Sequence, residues 1–236
     1  EEEEAVELPE PIDYLVITPS ELLETAEAFA QYRQTTGHVT FVATVHSAIG
    51  GLAAPTDSII VDEIVGFVHG HYLKRNPDKP FFLLIVGDAD DSDNDPTKTV
   101  PAGIWPGGWE GCRSDNFYAD MDGDHVPDLA VGRIPVRSNA DGELILDKIK
   151  THESEYEVGQ WNHRLHVYAG EGGFGDDIDV FIEKIAQEGL ESVPYEYDLR
   201  FAYNSPNSTY FYTPFPEHVL DMVTDGAPLV TFMGHG

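Results

Sequence analysis

Three apolar runs set what this chain can fold into: Leu15-Val16-Ile17, Phe81-Phe82-Leu83-Leu84-Ile85-Val86 and Leu229-Val230-Thr231-Phe232-Met233. Each is too short for a helix, is bounded by Pro, Gly, Asp or Thr, and lacks the polar–apolar alternation of a half-exposed strand. Such runs read as strands buried on both faces, as in a parallel sheet. Helical patterns lie between them, and strands alternating with helices predict right-handed βαβ units. The expected fold class is therefore α/β, a mostly parallel sheet flanked by helices.

Residues 1–11 are an acidic, proline-punctuated lead-in, read as a tail or linker. Thr18-Pro19-Ser20-Glu21 has the form of a capping box with Pro at the first helical position. Leu22, Ala26, Phe29 and Arg33 follow at helical spacing, and Gly37 is placed to close that helix as a left-handed cap. A strand is expected over 38–45, a helix over 59–73, and a helix from Asn139 to about Tyr156 with Ser138 as its cap. From Asp88 to Cys112 the pattern lapses into a long loop of Asp, Pro, Gly and Trp, a length usually explained by function or by metal. A second α/β series starts at Trp161. It predicts a strand over 165–169, a helix bearing Ile178, Phe181, Ile182 and Ile185, and a strand over 195–199. This organisation predicts a first subdomain over 12–160 and a second over 161–236; one continuous sheet is the other arrangement.

Lys and Arg number 13 against 43 Asp and Glu, a net charge of -30. That balance argues against nucleic acid or an anionic membrane as a partner and favours cations. No run approaches the ~18 apolar residues of a membrane span. The chain opens Glu-Glu-Glu-Glu without Met, which reads as an excised or processed segment. With 1 Cys there is no internal disulfide to report a redox compartment. Heavy acidity with few thiols suits a calcium-rich extracellular or periplasmic setting, although a salt-adapted cytosolic protein has the same composition.

The run ending at Met233 delivers Gly234-His235-Gly236, a histidine between glycines at a strand's carboxyl end, where open α/β sheets place their sites. Glycine neighbours permit close approach to a substrate backbone, and the Gly236 N–H is available to a developing oxyanion. A turn histidine after a core strand has the same signature. Glu171, in Gly170-Glu171-Gly172-Gly173, follows the 165–169 strand in the same way; a carboxylate beside an imidazole orients it and stabilises its protonated form. A Glu-Gly turn is the simpler account. Cys112, a loop cysteine upstream of both, is not assigned as a nucleophile.

Asp120, Asp122, Asp124 and Asp128 place carboxylates at alternate positions, a pattern that wraps oxygen ligands round Ca²⁺. It is no EF-hand, because Gly123 is fourth where that motif needs Gly sixth, and Val131 is twelfth where it needs Glu. Asp88, Asp90, Asp91, Asp93 and Asp95 form a second cluster whose self-repulsion a cation would relieve. A solvated acidic loop is the alternative for both. His69, His71, His163 and His166 read as surface or satisfied core histidines, and Arg133 as a structural arginine.

These pieces, with Tyr14-Leu15-Val16-Ile17-Thr18-Pro19, Leu83 to Asp88, Asp115 to Tyr118, Pro127 to Pro135 and Lys148 to Tyr156, resemble in order and spacing the catalytic domain of the gingipain-type cysteine peptidases, relatives of the caspases. The resemblance implies a caspase-like fold and peptide-bond hydrolysis through a thiolate acyl-enzyme. It assigns His235 to acyl transfer, Gly236 to the oxyanion hole and Glu171 to support of His235. It implies that the attacking Cys follows His235 at the end of the next strand, in the C-terminal remainder of the catalytic domain, on the same or a separate chain. Asp177 lies near the carboxylate with which arginine-specific members hold their substrate. Family members bind calcium, which agrees with the acidic loops, and the first reading is a secreted, calcium-stabilised cysteine endopeptidase. A non-catalytic calcium-binding adhesion or scaffold domain with the same fold is the second reading, and a hydrolase using metal-bound water at the Asp loops the third.

Overall fold

A computed structural model describes residues 11–52, 56–89, 98–104, 113–155, 157–170, 184, 188–189, 191–205 and 213–233. The chain divides into two compact units, residues 1–154 and 155–236, each described separately below.

In the first unit four parallel strands, β1 (Tyr14–Thr18), β2 (Thr40–Thr44), β3 (Phe82–Val86) and β6 (Ala130–Ile134), are ordered β2-β1-β3-β6. A two-stranded antiparallel pair, β4 (Gly103–Ile104) and β5 (Arg113–Ser114), lies outside this sheet. The two apolar runs of this unit bury on both faces. Leu15, Ile17, Leu83 and Ile85 pack with Val45, Ile60, Ile64 and Val68 of helices α2 (Val45–Ala48) and α3 (Asp57–Tyr72). Their alternate neighbours, Val16, Leu84 and Val86, pack with Ala26, Phe29 and Leu146 of helices α1 (Leu23–Thr35) and α4 (Asn139–Ser154). The result is a three-layer α/β/α unit whose parallel sheet is covered on both sides, as the absence of alternation requires.

Helix boundaries follow local chemistry, with one exception. At Gly37 (φ +95°) the His38 N–H donates to Arg33 O and the Gly37 N–H to Gln34 O, both at 3.1 Å, the paired bonds that close a helix through a left-handed residue. At α4 the Asp141 N–H donates to Ser138 Oγ at 3.2 Å, and the Ser138 hydroxyl donates to the Asp141 carboxylate at 2.7 Å. The expected capping box at Thr18 does not form. Pro19 takes the cap position without a side-chain cap, Thr18 Oγ1 donates to Pro19 O at 3.3 Å, and a 3₁₀ turn over Ser20–Leu22 precedes α1. Pro19 offers no polar side-chain atom, so the first turn tightens instead.

The second unit holds three parallel strands, β7 (Arg164–Gly170), β8 (Asp198–Asn204) and β9 (Leu229–Met233), ordered β8-β7-β9, with helix α5 (Phe215–Asp225) leading into β9. The strand expected over 195–199 begins at Asp198 instead, after the turn in which the Tyr197 N–H donates to Pro194 O. The helix expected around Ile178 to Ile185 falls largely outside the described residues. Among the described residues no helix is long and apolar enough to cross a membrane.

Candidate active site and acidic loop

Residues 171 and 235 follow β7 and β9, and those strands are immediate neighbours. The parallel register sets Leu165 opposite Leu229 and continues to Ala169 opposite Met233, while Gly170 faces Asn204 on the other side. Adjacent strands lie about 4.8 Å apart, so the chain leaves β7 and β9 side by side at the carboxyl edge. Glu171, Asp177, His235, Gly236 and Cys112 themselves lie outside the described residues. β9 is uncovered, against the two-sided burial its apolar run predicts: Leu229, Val230 and Phe232 are exposed, Phe232 to 69%, and no strand pairs with its outer edge among the described residues.

The acidic loop enters β6, and so sits at the amino edge of the first sheet. Both ends are anchored, with Tyr118, Ala119 and Leu129 buried and the Asp128 N–H donating to Ala119 O at 2.8 Å. Within it the chain folds round its own carboxylates. Asp120 accepts from the N–H groups of Gly123 (2.8 Å) and His125 (3.1 Å), Asp122 from Asp124 (3.2 Å), and Asp124 from Val126 (2.7 Å). Gly123 (φ +81°) and His125 (φ +71°) take left-handed conformations, which curl the segment inward. One carboxylate oxygen each from Asp120, Asp122 and Asp124 comes within 4.8 Å of the others, an arrangement that fits a cation with oxygen ligands 2.3–2.6 Å away. Asp128 acts differently, since its carboxylate accepts from the Met121 N–H at 2.7 Å and staples the loop shut. Of the second cluster only Asp88 is described, and Arg137 Nε donates to it at 2.5 Å.

Arg133 is fully engaged. Its guanidinium donates to both Asp115 oxygens, at 2.8 and 2.6 Å, and to the backbone oxygens of Gly87 (2.9 Å) and Val100 (2.8 Å). It ties the two ends of the β3–β4 connection to the 3₁₀ turn that begins at Asp115, which is the structural role its sequence context suggests.

His71 and His163 contact aromatic rings, of Phe41 and Phe67 in one case and of Tyr197 in the other. His166 departs from expectation. It lies on β7, 1% exposed, with Nδ1 3.3 Å from the Tyr168 hydroxyl and Nε2 without a hydrogen-bond partner among the described residues, so it is a core histidine that is not satisfied there. Burial, then the Arg200 and Arg164 guanidiniums, hold its pKa below the ordinary imidazole value. The sequence signal lies in the polar residues at every second position, Arg164, His166 and Tyr168, which place all three on one face of the strand.

The sequence profile of Peptidase family C25 matches residues 7–236. No curated protein sequence matches the chain. A solved structure described as a protease is 19% identical, with 96% of this chain and 45% of that one aligned and a TM-score of 0.57. Dimeric latent PorU from Porphyromonas gingivalis is also 19% identical, over 69% of this chain and 20% of that one, with a TM-score of 0.48. The likeness to the protease is one of fold alone, and this chain spans less than half the length of either structure.

Proposed function

The chain belongs to peptidase family C25, and on that premise we propose that it carries the histidine side of a secreted, calcium-stabilised cysteine endopeptidase. The observation behind this reading is the adjacency of β7 and β9, whose chain exits bear Glu171 and His235. A thiolate attacks the scissile carbonyl carbon, and the Gly236 N–H donates to the oxyanion that forms. The His235 imidazolium gives its proton to the departing amine, which leaves the acyl-enzyme that water then hydrolyses. Glu171 holds the imidazole tautomer and steadies its charge. Asp177 binds a basic side chain of the substrate, so Asp177→Ala shifts cleavage away from Arg and Lys.

The nucleophile belongs to polypeptide that follows His235, in the same or a separate chain, and its strand pairs with the outer edge of β9. The exposure of Leu229, Val230 and Phe232 supports this, because an apolar edge strand left bare is a liability that proteins normally cover. Expression of the longer gene product, with the first Cys downstream of His235 replaced by Ala, tests the reading. Peptidase activity is expected to fall by at least about 10³-fold, as it should for His235→Ala. Undiminished activity in the Cys variant sinks the proposal.

The acidic loop supports a second reading, a calcium-binding adhesion or scaffold domain that keeps the fold without the chemistry. The next forty or so residues of the gene discriminate, since this reading requires no Cys at the strand end.

A further inference from the structure

On the face of the second sheet that holds His166, charged side chains gather at the amino end of the strands. Arg164 of β7 donates to the backbone oxygen of Asp225, the last residue of α5, and lies 3.5 Å from the Asp198 carboxylate of β8. Arg200 of β8 pairs with the Asp225 carboxylate and donates to Asp198 through Nε at 3.1 Å. Both arginines therefore grip the end of α5, just before Gly226 (φ +71°) turns the chain into β9. His166 sits beside them, opposite Arg200 in the register with β8 and opposite Val230 in the register with β9.

We propose that Arg164, Arg200 and Asp225 form an acid-sensitive clasp on the α5–β9 turn, with buried His166 as its trigger. The clasp deepens the peptidase reading and rests on it for its consequence, because β9 is the strand that leads to His235. Among the described residues, the titratable and charged groups facing His166 are Arg164 and Tyr168 on its own strand, Asp198 and Arg200 on β8, and Asp225 on α5; β9 offers Val230. Two guanidiniums and two carboxylates already balance. The carboxylates are about half exposed, whereas Arg164 and Arg200 are more enclosed and outweigh them at the ring. Protonating His166 makes the ring a buried third cation whose Nε2–H has no acceptor among the described residues. The ring is neutral while the clasp is closed and takes up its proton when the clasp opens. Opening therefore becomes easier as pH falls below about 6.5, by at most tenfold per pH unit for one proton, until the folded state's lowered pKa is passed.

The test is amide hydrogen exchange of the natively produced protein between pH 7.5 and 5, expressed as protection factors so that the intrinsic pH dependence of exchange cancels. Protection of α5 and β9 amides is expected to fall with acid up to tenfold per unit, that of β1 and β3 to hold, and His166→Gln to abolish the fall. Equal loss in the Gln variant, or undiminished β9 protection in the parent, overturns the clasp. Should the Gln variant fail to fold, NMR titration of the His166 ring in the parent decides, since a pKa at or above the ordinary value overturns the proposal and one below it supports it. Exchange reads no activity, so failure of the peptidase assignment and failure of the clasp are separately visible.

Discussion

Ala169 of β7 lies opposite Met233 of β9, and this register places Glu171 and His235 the same number of residues beyond the paired positions. Two strands far apart in sequence thus end side by side at one sheet edge. Disturbing the pairing should disturb the chemistry without touching either side chain. Thr231→Pro, at the middle of β9 opposite Val167, is expected to disturb the pairing and to lower peptidase activity of the longer product at least tenfold. Retention of full activity would show that the register does not matter.

Arg133 makes four hydrogen bonds, two of them to one carboxylate. Arg133→Ala leaves Asp115 and two carbonyls without their donor and should destabilise the first unit by about 3 kcal/mol. Arg133→Lys cannot reproduce the two-pronged contact and should recover less than half of that. Urea unfolding provides the measurement, and a loss under about 0.5 kcal/mol for the Ala variant would contradict the stapling role.

Gly142 of α4 permits the close crossing with α1, since a Cβ there would lie 2.3 Å from Thr25 Cγ2 and 2.7 Å from its Oγ1. Thr25 is held in place by donating to Asn139 Oδ1 at 2.7 Å. Gly142→Ala gains about 1 kcal/mol of helix propensity but incurs an overpacking cost of about 1–3 kcal/mol. The net change should be destabilising, and Thr25→Ala in the same molecule should relieve it. A double-mutant cycle with no coupling energy would rule out the clash.

Asp120, Asp122 and Asp124 converge, and calcium should relieve their repulsion. Calcium at 100 times its Kd is expected to stabilise the first unit by about 2.7 kcal/mol, seen as a rise in Tm that chelator reverses. Asp120→Asn and Asp124→Asn should abolish the rise. No shift at millimolar calcium would leave these carboxylates as a solvated loop.

Glu153 accepts from the Tyr32 hydroxyl at 2.7 Å and from Arg33 at 3.0 Å. Burial pushes its pKa up, but these two hydrogen bonds outweigh that and hold it below the ordinary value. A lowered carboxylate pKa contributes stability above the unfolded value of about 4.3 that is lost as pH falls through the folded one. Glu153→Gln should therefore be less stable than the parent near neutrality and converge with it below pH 4. The same deficit at pH 3 as at pH 7 would show that packing, not charge, is responsible.

Much of this fold is legible in the sequence because the causes are local. Leu15-Val16-Ile17 and Phe82 to Val86 are apolar at every position and are covered on both sides, whereas the apolar run of β9 is exposed. Gly37 and Ser138 mark helix ends because left-handed backbone and a hydroxyl cap are properties of single residues. The alternating Asp residues bend the loop round themselves through bonds to near neighbours. Spacing alone does not distinguish Asp128, whose carboxylate accepts from the Met121 N–H across the loop, from Asp120, Asp122 and Asp124, whose oxygens converge. His166 escapes the sequence for a related reason: whether a buried imidazole finds a partner depends on what β8 and α5 place beside it.

The sequence by itself determined the strands β1 and β3, the helices α1, α3 and α4, several of their ends and which loop is rich in carboxylates, since propensity, capping and charge density act within a few residues. Only the tertiary structure decided the orders β2-β1-β3-β6 and β8-β7-β9, the pairing of Ala169 with Met233, and the arginine clasp around His166. The reason is physical: a strand's N–H and C=O groups are satisfied by any strand laid alongside, so local composition does not name the neighbour. The packing of both faces and the path of the connecting helices select it.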